Sequence, residues 1–165
     1  MRHPTLAAIA AGAAIATVAF AGCGGASIPA DFAIVQRPPH IATVDQGSPG
    51  VSVADLTVFD AALTKDGAPF GTLYGEHTVE AETGSVAAHN AVETRMTDLI
   101  FDLPDGQIVV HGASAYPRGD WHLNAGTPVV RAIVGGTKAY VGAHGELTTT
   151  RNANDTYTQA FHFVD

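Results

Sequence analysis

One aspartate set among apolar residues is the first candidate for chemistry. In Leu56-Thr57-Val58-Phe59-Asp60-Ala61-Ala62, strand alternation puts Asp60 on one face with Leu56, Val58 and Ala62. On an apolar interior, desolvation disfavours an ionised carboxylate, which is a common way to prepare an acid or a base. At the mouth of a barrel the same residue is a solvated turn cap. Tyr74 and Glu76 alternate with Thr72 and Thr78, and that face reads either as a polar lining or as the solvent side. Seven histidines follow Cys23, at positions 40, 77, 89, 111, 122, 144 and 162. None has a His-x-His, His-Glu-x-x-His or Cys-His spacing, so neither a metal site nor a cofactor is expected. No phosphate loop, nucleophile elbow or Ser-His-Asp order occurs.

The elements that would position these residues are strands. From Asp55 onward, short β-rich runs alternate with turn signals, and no segment keeps a 3.6-residue period. Runs are expected over 55–63, 70–82, 90–103, 107–116, 129–134, 140–150 and 156–164, with a loop over 117–127. Lys65-Asp66-Gly67 and Pro104-Asp105-Gly106 supply tight turns. Several runs are apolar on both faces, as with Ile108 and Val110 opposite Val109, or Val129 and Ile133 opposite Val130 and Val134. A sheet that buries both faces needs an enclosed lumen and an outer cover. The expected fold class is therefore all-β, a single antiparallel closed β-barrel of about eight strands; a two-sheet sandwich is the alternative.

Residues 1–22 have the anatomy of an export signal: Met1-Arg2-His3 gives a basic start, and from Leu6 to Ala21 only Thr17 interrupts apolar or small residues. That run of about 16 residues is shorter than the roughly 20 a membrane-crossing helix needs. It ends Ala19-Phe20-Ala21-Gly22-Cys23, which resembles the lipobox of bacterial lipoproteins and implies lipidation of Cys23. An ordinary secretory signal cleaved near Ala21 is the other reading. The expectation is an exported protein held at the cell membrane or envelope by its N-terminal lipid. Residues 23–54, rich in proline and glycine, read as a tether, in which Phe32-Ala33-Ile34-Val35 is a possible short strand or plug.

Length and charge narrow the function. A chain of 165 residues has room for one domain. Its net charge is −8, and removing Arg2 with the signal makes the remainder more negative still. The basic residues of the body are scattered singly, so no stripe could neutralise phosphates and no nucleic-acid partner is expected. With one cysteine the chain forms no internal disulfide, leaving packing and strand pairing to stabilise it.

Three stretches of the body resemble the allene oxide cyclase and dirigent barrel superfamily. They are Leu56 to Asp60, Gly71 to Glu76, and most specifically Leu103 to Gly112 followed by Ala132 to Leu147. Lys138 departs from the pattern, which commonly has another glycine there. The resemblance covers about residues 55–165, taken as the barrel domain. It implies a lumen that binds an apolar small molecule or reactive intermediate and directs its cyclisation or coupling, with a homotrimer as the assembly. It also places Asp60 at the position of a lumenal carboxylate that stabilises developing positive charge, and puts His111 and His144 in motifs that could line the lumen beside Tyr74 and Glu76. The polar partner two residues beyond that carboxylate in plant cyclases is Ala62 here. A non-catalytic structural or partner-binding envelope lipoprotein is the competing class.

Overall fold

The structure, a computed structural model, describes residues 29–84 and 91–164. The expected export signal, Cys23 and His89 lie outside them. Among the described residues there are nine strands: β1 (Phe32–Gln36), β2 (His40–Val44), β3 (Leu56–Lys65), β4 (Ala68–Thr83), β5 (Val92–Leu103), β6 (Gly106–Pro117), β7 (Pro128–Gly136), β8 (Gly145–Arg151) and β9 (Tyr157–Phe163). From β3 to β9 the chain meanders, each strand antiparallel to the next, and β1 closes the cylinder between β9 and β3. Eight strands thus form a closed antiparallel barrel, and β2 is an extra strand on β3.

The β3–β4 turn follows its chemistry: Asp66 (φ 51°) and Gly67 (φ 80°) are both left-handed, as a tight hairpin requires. At the β5–β6 turn, Gly106 lies so close to the Thr137 carbonyl oxygen that a Cβ there would sit 2.2 Å from it. Thr137 also accepts the Gln107 amide on its Oγ1 and donates its own amide to Gln107 O. The two most specific motifs of the sequence therefore dock on each other at one end of the barrel.

The stretch read as a tether contributes two strands. β1 and β2 both run antiparallel along β3, separated by Pro38-Pro39, and the Arg37 amide donates to Ala62 O between them. The Asp55 carboxylate accepts the amides of Gln46 and Ser52, which ties down the residues that follow β2. The barrel thus begins with β1, ahead of residue 55, and the short strand the sequence offers at Phe32 to Val35 is one of its eight members. The run expected over 140–150 is also shorter: a 3-10 turn at Lys138–Tyr140 precedes β8. Lys138 has φ 53°, a conformation a glycine adopts freely, so the departure at this position places a side chain where the backbone favours none.

Cross-strand register decides which faces point inward. Ala61, Leu73, Phe101 and Ile108 form one continuous row across β3 to β6, each 1% exposed or less. The neighbouring row, Asp60, Tyr74, Ile100 and Val109, lies on the outside. The expected face of Leu56, Val58, Asp60 and Ala62 is therefore the outer face, and Thr57, Phe59, Ala61 and Leu63 line the lumen. Both sets are about equally apolar, so alternation alone does not select between them. Outside, Val58, Tyr74, Ile100, Val130 and Val134 remain exposed.

The motif-bearing end of the lumen is solid. Phe32 stacks on Phe161 at 4.6 Å, Phe101 meets Phe161 edge-on at 4.9 Å, and Leu103, Ile108, Tyr140 and Phe163 pack with them. Aromatic pairs in this geometry add stabilisation beyond their buried area. Phe161 joins β1, β5 and β9, so Phe161→Ala is expected to destabilise the barrel by about 3–5 kcal/mol in urea unfolding.

Candidate functional site

The other end of the lumen differs. The inward positions of β5 run Glu93, Arg95, Thr97, Leu99, Phe101 and Leu103, polar at one end and apolar at the other. β4 brings in His77, β6 Tyr116, β7 Arg131, β8 Thr149, β9 Gln159 and β1 Gln36, all buried. Together they surround a depression with Leu73 and Leu99 among its lining, flanked by Phe59, Ile41 and Trp121. It holds about 50 Å³ of free interior space, and about 500 Å³ when measured out through the mouth.

Two guanidinium groups are buried here, and their environments differ. Arg95 is 1% exposed and pairs with Glu93, itself fully buried, through Nε at 3.0 Å and Nη2 at 2.6 Å. Its Nη2 also donates to Asp120 O, while Glu93 Oε1 accepts the Gly119 amide. The guanidinium lies 4.5 Å from the Tyr116 ring centre and 5.0 Å from that of Trp121. This ion pair therefore clamps the 118–123 loop across the barrel mouth. Arg131, 4% exposed, has no carboxylate partner among the described residues. Its Nη2 donates to Tyr116 Oη at 3.0 Å, its Nη1 to Thr149 Oγ1 at 3.4 Å, and its Nε is buried without a partner. Gly112 makes room for it, since a Cβ there would come within 3.3 Å of Arg131 Cγ.

A guanidinium can only donate, and that orients the network around it. Tyr116 accepts from Arg131, so its hydroxyl proton goes to His77 Nε2 at 3.3 Å, and His77 Nδ1–H donates to Thr97 Oγ1 at 2.9 Å. On the other side Thr149 donates to Gln159 Oε1 at 2.7 Å, and Gln159 Nε2 donates to Gln36 Oε1 at 2.6 Å. Burial, reinforced by the charges of Arg131 and Arg95, pushes the His77 pKa down to about 3, so the ring is a neutral acceptor. Burial also lowers the pKa of Arg131, which nonetheless stays charged. Tyr157, at the same end, is pushed up to about 12, chiefly by burial. The site thus combines a fixed positive charge with aligned donors and an apolar floor, which suits it to hold and polarise an electron-rich group.

The sequence-derived candidates lie elsewhere. Asp60 is on the outer face, its carboxylate 3.2 Å from His40 Nδ1. Tyr74 and Glu76 are exposed on the outside of β4. His111 is also outside, 2.7 Å from Asp98, and His144 lies in the loop before β8, its Nδ1 3.0 Å from Gly142 O. These residues do not come together with the lumenal set. His122–Asp120 and His162–Asp31 are further exposed pairs. Among the described residues no three His, Cys, Asp or Glu side chains gather as metal ligands. The missed residues had one usable signal: Glu93 and Arg95 share the strand face of Leu99, Phe101 and Leu103.

No family model matches this chain, and no curated protein matches its sequence. Among solved structures it is similar to pyocyanin demethylase, with a TM-score of 0.63 and 26% sequence identity over 82% of this chain and 100% of that one. It also matches AbnU, described as an exo-specific intermolecular Diels-Alderase, with a TM-score of 0.43 and 11% identity over 80% of this chain and 96% of that one. The barrel is of the same kind as the first of these.

A neutral His77 makes stability acid-sensitive. Its folded pKa of about 3 lies below the ordinary histidine value of 6.5, so its contribution is intact above pH 6.5 and is lost as pH falls toward 3. The cost is about 1.4 kcal/mol per pH unit within that window. Urea midpoints of wild type and His77→Gln, compared from pH 7 to pH 4, are expected to converge on acidification. Parallel pH curves would show that His77 is not buried neutral.

Proposed function

We propose that this protein is an exported, lipid-anchored barrel that binds a flat, largely apolar small molecule in its open lumenal end. The observation that carries the reading is the asymmetry of the interior: one end is filled by aromatic packing, whereas the other holds a cavity with an apolar floor, aromatic flanks and convergent polar groups. Ligand sites commonly have that composition. The free interior accepts only part of a guest, so the bulk of the molecule occupies the mouth between Ile41 and Trp121. The likeness to pyocyanin demethylase over the whole of that chain supports a small-molecule ligand. The resemblance of residues 103–112 and 132–147 to allene oxide cyclase and dirigent barrels also supports a small-molecule ligand.

The site favours some reaction types over others. Its one carboxylate, Glu93, is committed to Arg95, so little is available to stabilise a developing cation. Arg131, held in place by Tyr116 and Thr149, is positioned instead to stabilise negative charge developing on a guest oxygen. Turnover through this site would therefore proceed by way of an enolate- or phenolate-like species.

Trp121, the sole tryptophan of the chain, lines the mouth and reports occupancy. Titrating the full chain with pyocyanin is expected to quench its emission saturably at one molecule per chain. Quenching no steeper than that of free tryptophan would remove the lumenal-ligand reading. The anchor is tested separately: Cys23→Ala is expected to move the protein from the detergent phase to the aqueous phase in a partition assay. Unchanged retention would reject lipidation.

A further inference from the structure

Among the described residues, Arg131 is the buried charge with no counterion. A buried ion costs several kcal/mol unless an opposite charge and hydrogen bonds offset it. Arg95, on the same lumenal end, has its charge offset by Glu93, Asp120 O and two aromatic rings, and leaves only Nη1 without a partner. Arg131 receives only two neutral oxygens, from Tyr116 and Thr149, and its Nε has none. The other groups around it do not supply charge: His77 is neutral, and Gln159 and Gln36 are amides. A chain of net charge −8 thus presents a positive lumenal pocket.

We propose that the guest of this pocket is an aromatic acid, whose anionic oxygen docks on the Arg131 guanidinium while its ring lies in the mouth between Phe59, Ile41 and Trp121. The proposal rests on the lumenal-ligand reading and adds the charge of the ligand to it. Tyr116 and Thr149 hold the guanidinium plane in position, and the apolar floor at Leu73 and Leu99 keeps the ion pair out of water. A phenolate and a carboxylate share the needed chemistry; a neutral isostere of the same shape lacks it.

The test uses isothermal titration of the full chain at pH 7.5 with 2-naphthoate and with 2-naphthamide, which has nearly the same shape and no charge. Hydrogen bonds to a charged group contribute about 1.5–3 kcal/mol, so the carboxylate is expected to bind at least about tenfold more tightly. Arg131→Gln should abolish that preference, the two probes then binding within about twofold of each other. Arg131→Lys, which keeps the charge, should retain part of it. Equal affinity of wild type for the two probes, or a preference surviving in Arg131→Gln, overturns the proposal and leaves the ligand site standing. Because the first comparison needs only wild type, a variant that fails to fold does not protect the idea. Binding of neither probe defeats the lumenal-ligand reading and this inference together.

Discussion

The open half of this barrel depends on the burial of two arginines among strands, since a guanidinium can neither give up its proton nor accept a hydrogen bond. Every hydroxyl and amide within reach must turn an acceptor toward it. That requirement sets the direction of the hydrogen bonds from Arg131 through Tyr116 to His77, and from Thr149 through Gln159 to Gln36. Burial, reinforced by the two guanidinium charges, keeps His77 neutral. The Glu93–Arg95 pair supports this arrangement from behind and fastens the 118–123 loop over the mouth. A polar network in a low-dielectric interior is rigid when its members are satisfied, and this one is left incomplete at Arg131 Nε and Arg95 Nη1, of which only Arg131 also lacks a carboxylate.

The two halves of the lumen divide the work. At one end the phenylalanines of β1, β5 and β9 pack into a solid plug, and the hairpin at Pro104-Asp105 docks on Thr137, which together hold the cylinder closed. At the other end the same strands carry charged and amide side chains on the same inward face. β5 shows the change within one strand, from Glu93 and Arg95 to Phe101 and Leu103. A site built on such strands inherits their rigidity, and the loop carrying Trp121 and Leu123 is fastened over it by the Glu93–Arg95 pair.

The motifs that mark the sequence most clearly, Leu103 to Gly112 and Ala132 to Leu147, fall mainly at the packed end. They were readable because turns and close backbone approaches demand glycine at particular positions, and such demands leave a local trace. Arg131 sits just before the second motif and reaches the site through space that Gly112 leaves open. Nothing local distinguishes it from a solvated arginine, because its neighbours Val130 and Ala132 are as apolar as Val129 and Ile133. The same ambiguity put Asp60 inside. Leu56 and Val58 suggested an apolar interior face, and only the row from Ala61 to Ile108 shows that the opposite parity is buried.

From its amino acids alone this protein was determined to be an all-β chain whose strands, apolar on both faces, have to bury both, in a closed barrel or a two-sheet sandwich; turn chemistry and period-two alternation are local properties. The direction each strand faces, the recruitment of Phe32 to Gln36 as the closing strand, and the meeting of His77, Tyr116 and Arg131 were decided by tertiary structure. Those outcomes follow from pairing register between segments far apart in sequence, and a one-residue difference in register turns every side chain to the other face.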